Sequence, residues 1–263
     1  MELRRPVAVF DAGIGSYAIV AEIQKAFPRQ DILYLADRAS FPYGSKSRAE
    51  LLSIMRRTIA FLSTYDPCAI VVASNAPSIM VLDELREDAA IPLFGVFPPL
   101  QKALALSRTG QVGIMGVQSL VESPMLREFV GKHQCDPANV ALINASSMVD
   151  LVEDGSFLFD PIGTQDRVTQ FMSDLAREYP LIDVFTLSST HLPWLNDFFS
   201  ATQPNGIFLD PAKDIVSGLA TGHEGSGIVR GLATETPRFD LKSLQAMLNA
   251  IGVDIPLETV TIG

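Results

Sequence analysis

Short, unbroken apolar runs separated by helix-patterned stretches constrain this chain more than any other feature. VAVF from Val7, ILYL from Ile32, AIVVA from Ala69, PLFGV from Pro92, VGIMG from Val112, NVALI from Asn139, VFTL from Val184 and GIFL from Gly206 each read as a buried strand. The runs are continuous, not alternating, which is the pattern of strands covered on both faces. Between them, apolar residues recur at i, i+3, i+4 and i+7, as in AELLSIMRRTIAFL from Ala49 to Leu62. Strand and helix in alternation predict an α/β fold with mostly parallel sheets.

A weak internal duplication divides that fold in two. IVVASNAPS and VFTLSSTHLP share a plan: an apolar strand, a serine at its carboxyl end, a polar residue and then a proline. Ser74 and Ser189 hold the equivalent places, 115 residues apart. Ligands of open α/β sheets sit just beyond the carboxyl ends of strands. Two similar doubly wound lobes are therefore expected, each offering one serine to a shared cleft. PLFGVFPPLQ, with Pro98 and Pro99, reads as one crossover, and Gln203–Gly206 as the other. Lobe one is then 1–97 with 207–263, and lobe two is 98–206.

Composition narrows the class. Apolar residues make up 48% of the 263, enough for a sizeable core. Charged residues are only 19%, so the chain is compact and not disordered. Acids exceed bases, 30 to 20, for a formal charge of −10. That balance argues against nucleic acid as a general partner. It leaves room for a small acidic ligand, which needs only a local positive or amide-rich site. No apolar run approaches the ~20 residues of a membrane span. MELRRPVAVF lacks the long apolar segment of a secretory signal. Two cysteines, Cys68 and Cys135, make no disulfide framework, so a cytoplasmic location is expected. The three histidines are scattered at positions 133, 191 and 223, and no spacing suggests a metal site.

Several stretches carry possible chemistry. VFDAGIGSYA, Val9 to Ala18, runs from a strand through a glycine turn into a helix start. Gly13, Gly15 and Ala18 satisfy G-x-G-x-x-G/A, and Asp37 ends the next strand about where a ribose-binding acid belongs. A dinucleotide site is one reading and a plain βα turn another. Asp11 counts against the first, because it puts a carboxylate near where a pyrophosphate would lie. In LADRASFPYGSKS, Pro42, Tyr43 and Gly44 make a turn, and Ser45 or Ser47 can cap the next helix. VEDG puts Glu153 and Asp154 after a short helical stretch, the pattern of a solvated acidic helix end. In TLSSTHLP, His191 follows a strand among small polar residues, as a cap or as part of a site. A Ser-His-Asp hydrolase does not fit: the chain has no G-x-S-x-G elbow, and Ser189 and His191 are too close for a typical triad.

Taken in order, these pieces resemble the glutamate racemases of the aspartate/glutamate racemase superfamily. That family carries D-S-G-x-G-G, then P-Y-G, C-N-T, V-E-E-G and G-C-T-H-Y-P. This chain has DAGIGS at Asp11, PYG at Pro42, SNA at Ser74, VEDG at Val152 and SSTHLP at Ser188. TPRFDLKSLQAMLNAIGVDIPLETVTI is similar to the family's closing helix and strand. The resemblance spans the chain. It implies the racemase-like two-lobed fold, a homodimer, and interconversion of L- and D-glutamate for peptidoglycan without metal or cofactor. In the family, two thiols, one from each lobe, take a proton from one face of the α-carbon and return one to the other. Supporting acid/base roles map to Asp11 and His191, with Glu153 a further candidate. Binding of a small acidic amino-acid-like ligand maps to Ala12, Pro42, Tyr43, Gly44, Asn75, Ala76 and Thr190.

The departures matter as much. Ser74 and Ser189 stand where the two catalytic cysteines belong. A thiol has a pKa of about 8.5, whereas an alkanol lies near that of water, roughly 15.7. At about 1.4 kcal/mol per unit, forming the base costs on the order of 10 kcal/mol more for serine. Cys68 is no substitute, because six strand residues put it roughly 20 Å from Ser74. Cys135 lies far in sequence from every motif. Hydroxyls are missing as well, with Ala12, Ala76 and Leu120 where the family carries serine or threonine, and Ser188 replaces a glycine. The expectation is a glutamate-racemase homologue with weak or no activity. The alternatives are an isomerase or decarboxylase acting on another substrate, or a non-catalytic small-ligand binding or regulatory protein.

Overall fold

The computed structural model describes residues 3–133, 136–219 and 225–263. Cys135 and His223 lie outside the described residues. The described strands are β1 (Val7–Asp11), β2 (Ile32–Asp37), β3 (Ala69–Val72), β4 (Leu93–Gly95), β5 (Val112–Gly116), β6 (Val140–Asn144), β7 (Val184–Leu187), β8 (Ile207–Leu209), β9 (Val229–Thr234) and β10 (Leu257–Thr259). They form a six-stranded sheet of order β10-β9-β2-β1-β3-β4 and a four-stranded sheet of order β6-β5-β7-β8. Every pairing is parallel. The eight runs read as strands are all present, β10 falls in the closing segment that the resemblance marks, and β9 is an addition.

The chain divides into two compact units, Met1–Val96 with Ala212–Gly263, and Phe97–Pro211. The division moves both boundaries drawn from the sequence. Ile207–Leu209 pairs with Val184–Thr186, so the chain completes the second sheet before it returns. Phe97 belongs with the second unit because its ring stacks on Phe129, with centroids 6.2 Å apart.

In the first unit, every residue of β1, β2 and β3 is buried. These inner strands are covered on both faces, which is why their sequences do not alternate. β4 and β10 close the sheet edges and are partly exposed. The helix Arg48–Ser63 starts at a reciprocal cap: Ser47 Oγ accepts from the Glu50 amide, and Glu50 Oε2 accepts from the Ser47 amide. It buries Leu51, Ile54, Met55, Thr58 and Leu62, the face that the i, i+3, i+4 pattern marks. Asp31 secures β9. Its fully buried carboxylate accepts from the amides of Arg4, Ser226 and Ile228 at 2.9, 2.7 and 3.1 Å. Gly225 allows that approach, since a Cβ there would lie 2.5 Å from Asp31 Cγ.

In the second unit, β5 and β7 are buried throughout, and β6 and β8 form the more open edges. The helix Pro161–Glu178 begins at Asp160, whose Oδ1 accepts from the Gly163 amide at 3.0 Å. No helix among the described residues is long and apolar enough to cross a membrane.

Candidate active site

In the first unit, β1 pairs with β2 and β3 so that Asp11 lies opposite Ala36 and Phe10 opposite Val72. The carboxyl ends of the three strands therefore lie side by side. Asp11 is 3% exposed, and its Oδ1 accepts from the Ala12 amide at 2.7 Å. Ser74 follows β3 in extended backbone, just before the short helix Asn75–Met80, and its hydroxyl caps nothing. Ser78, one turn on, donates through Oγ to the Ser74 carbonyl at 2.6 Å and accepts from the Val96 amide at 2.9 Å. Sequence reading missed Ser78; its only signal is a serine four residues beyond Ser74.

Asn75 is the most informative residue here. It is 2% exposed, and its Nδ2 donates to the Val96 carbonyl at 3.2 Å. That bond fixes the amide's orientation and leaves Oδ1 as a buried acceptor with no partner among the described residues. Such an atom is costly unless a donor reaches it. Ala76, buried beside it, offers only a methyl group.

At the end of β2, Asp37 is satisfied from within. Its two oxygens accept from Thr234 Oγ1 at 2.8 Å and from the Tyr43 hydroxyl at 3.0 Å. Burial, and then the charges of Asp37 and Asp11, push the Tyr43 phenol well above its ordinary pKa, so it remains a donor. Both groups are occupied, which removes the ribose-binding acid that a dinucleotide site requires. Tyr43 holds the turn through its hydroxyl, while Pro42 is exposed and Gly44 half-buried. Arg38, 2% exposed, lies between the rings of Phe41 and Phe239, 5.7 and 5.4 Å from their centroids. Sequence reading gave it no role. Burial lowers its pKa, and the charges of Tyr34, Asp240 and Asp11 oppose that shift.

In the second unit, β7 ends at a run of buried polar residues. Ser188 donates its amide to the Met115 carbonyl at 2.8 Å, and its hydroxyl lies 2.8 Å from Thr186 Oγ1. Ser189 Oγ accepts from the His191 amide at 3.4 Å, and Thr190 is buried between them. The His191 side chain does not cap the following turn, Leu192–Leu195. Its Nε2 lies 3.0 Å from Glu153 Oε2 instead. With Glu153 ionised its carboxylate only accepts, and Nε2–H is then the donor. Glu153 ends the helix Ser146–Glu153 and is 8% exposed. The solvated helix end read from VEDG is therefore half right: Asp154 is exposed, while Glu153 turns inward to His191.

Among the described residues, no hydrogen bond joins the hydroxyl of Ser74 or Ser189 to a basic side chain. Cys68 precedes β3 at its amino end, where its amide donates to the Pro6 carbonyl, and burial raises its thiol pKa. It lies at the other end of the strand from Ser74. Leu120 is fully buried, and a Cβ on Gly116, the last residue of β5, would lie 3.0 Å from its Cδ2. No group of three or more His, Cys, Asp or Glu among the described residues is placed to hold a metal.

Parallel α/β units whose polar motif residues lie at strand carboxyl ends define an α/β class that binds ligands beyond those ends, and the comparisons narrow it to a family. The family model Asp/Glu/Hydantoin racemase matches residues 16–197. The glutamate racemase of Deinococcus radiodurans is 30% identical over 261 residues, covering 95% of this chain and 88% of that protein. The glutamate racemase of Thermus thermophilus, solved with β-chloro-D-alanine, aligns with a TM-score of 0.80 at 27% identity, over 98% of this chain and 97% of that one. The Escherichia coli glutamate racemase, solved with L-glutamate and an activator, shares the fold at TM-score 0.83 and 23% identity, over 99% and 100% of the two chains. The chain belongs to the Asp/Glu/hydantoin racemase family.

Proposed function

We propose that this chain is a glutamate-racemase homologue without the family's two catalytic thiols, which holds an acidic α-amino acid and racemises it weakly or not at all. The observation that carries the binding half is Asn75 Oδ1, a buried acceptor lacking a donor at the end of β3. The ammonium of an amino acid is a donor of the right kind. The catalytic half rests on Ser74 and Ser189. Carbon-acid chemistry needs a base that titrates near the working pH, and a hydroxyl without a basic neighbour stays protonated there. By resemblance to glutamate racemases, the setting is a cytoplasmic homodimer connected to the D-glutamate of peptidoglycan.

A second reading has one observation in its favour, the buried His191–Glu153 pair. One acid/base group suffices for a one-sided reaction, such as a decarboxylation or isomerisation of another substrate, where racemisation needs two.

Proton NMR of D- and L-glutamate and D- and L-aspartate in deuterated water tests both. Under the first reading, the ligands raise the melting temperature while Cα exchange stays near the uncatalysed rate. Turnover like that of an ordinary racemase overturns it. Exchange abolished by His191→Gln would move the assignment to the second reading.

A further inference from the structure

The first sheet carries a second recess, on the far side of β2 from Asp11 and Ser74. It opens at the carboxyl ends of β2, β9 and β10 and has a volume of about 240 Å³. That is below the ~300–1,000 Å³ of pockets that take drug-sized ligands, and it suits one small metabolite. Its floor is the helix Arg48–Ser63 and its wall is the segment after β10, held by the Val260 amide on the Ala233 carbonyl at 2.9 Å.

The lining carries charges of both signs. Arg57 and Glu235 contribute one each, Thr58 a hydroxyl, and Ile54, Val260 and Ile262 apolar surface. Arg57 is exposed and makes no ion pair or hydrogen bond among the described residues. Its neighbours on the same helix, Arg48 and Arg56, are both engaged by Glu84. Thr58 is 1% exposed and also lines the recess. Glu235 spends one oxygen, Oε2, on the Leu241 amide at 3.2 Å. Asp37 also lines the recess, but Tyr43 and Thr234 already satisfy its oxygens. An uncommitted guanidinium at a recess can take up an anion. The nearby carboxylate disfavours a second negative charge and favours a cation on the same molecule.

We propose that this recess binds a free aliphatic α-amino acid. The carboxylate meets Arg57 and Thr58, the ammonium meets Glu235, and the side chain packs on Ile54, Val260 and Ile262. None of these residues belongs to the site around Ser74, so the inference stands apart from the function proposed above. Asp37 borders the recess and holds Tyr43, so an occupant would sit one hydrogen bond away from the Pro42–Gly44 turn.

Calorimetric titration of the full chain with L-leucine tests this, with 4-methylpentanoate and isopentylamine as probes lacking one charge each. Saturable binding of leucine is expected, with each single-charge probe at least tenfold weaker. Arg57→Ala and Glu235→Gln, both at exposed positions, should each weaken leucine at least tenfold without loss of the circular dichroism spectrum. Asn75→Ala should leave leucine binding unchanged. The proposal is overturned if leucine shows no saturable binding up to its solubility limit. It is equally overturned if Arg57→Ala binds like wild type, if either single-charge probe matches leucine, or if Asn75→Ala abolishes the signal and so places leucine near Ser74.

Discussion

Glu153 and His191, 38 residues apart in sequence, approach to 3.0 Å between Oε2 and Nε2, each less than a tenth exposed. Both side chains have been taken out of water. Removing one partner of a buried pair typically costs about 3–5 kcal/mol, because a desolvated polar group remains. Glu153→Ala is expected to lower stability to urea by about 3 kcal/mol. Glu153→Gln keeps a carbonyl acceptor for Nε2–H and should cost only about 1 kcal/mol. Equal losses in the two variants would show that the helix end, not the pair, is what matters.

Thiol restoration separates loss of the base from loss of the site. Ser74→Cys with Ser189→Cys returns two groups that ionise near neutral pH, and Cα exchange of glutamate should rise above wild type. It should still fall short of an ordinary racemase. The hydroxyls that the family offers at positions 12, 76 and 120 are Ala12, Ala76 and Leu120 here. At about 1 kcal/mol per missing hydrogen bond, the shortfall is roughly 10²-fold. Either single variant should exchange one enantiomer faster than the other, since one base serves one face. Full racemase rates from the double variant would mean that the missing hydroxyls are dispensable.

The eight strands legible in the sequence are apolar runs, and β1, β2, β3, β5 and β7 among them are buried throughout. β9 escaped detection because Arg230 and Gly231 break its run. The reason is external to the strand: the Arg230 guanidinium pairs with Glu258 through bonds of 2.9 and 2.7 Å and lies over the Tyr65 ring. Gly231 yields to Leu257, whose Cδ2 would lie 2.6 Å from a Cβ there. The motif residues at strand ends were readable because local spacing places them. The burial of Glu153, Arg38 and Ser78 was not, because partners distant in sequence impose it: His191, Phe239 and Val96.

Asp31 makes stability depend on acid. Burial alone pushes its carboxyl up, but hydrogen bonds from the amides of Arg4, Ile228 and Ser226 more than offset this, and its pKa lies below the ordinary value. A carboxyl depressed in the folded state stabilises it fully above the unfolded pKa of about 3.9, and that contribution is lost as pH falls through the folded value. Asp31→Asn also turns an amide NH2 toward backbone donors. The wild type should therefore exceed Asp31→Asn by about 2 kcal/mol at neutral pH, with the gap beginning to narrow below about pH 4. Urea titrations at pH 7 and pH 3.5 measure it. A gap independent of pH would mean that the carboxylate charge is not its source.

Ser78 decides how firmly Ser74 is seated. Its hydroxyl, in a residue 3% exposed, bridges the Ser74 carbonyl and the Val96 amide. Ser78→Ala removes the bridge and leaves a buried N–H without its acceptor, at a cost of about 1–3 kcal/mol. Gly95 is the other half of the arrangement. A Cβ there would lie 2.7 Å from Ser78 Oγ and 2.4 Å from Leu82 Cδ2, so the strand approaches the helix only because residue 95 has no side chain. Gly95→Ala should cost about as much as overpacking does, 1–3 kcal/mol, by pushing that helix off β4. The two losses should not add, because once the helix has moved the Ser78 bridge is already stretched. A double variant whose loss equals the sum of the singles would show that Gly95 and Ser78 act independently, and that the seat of Ser74 rests on the β3 backbone alone.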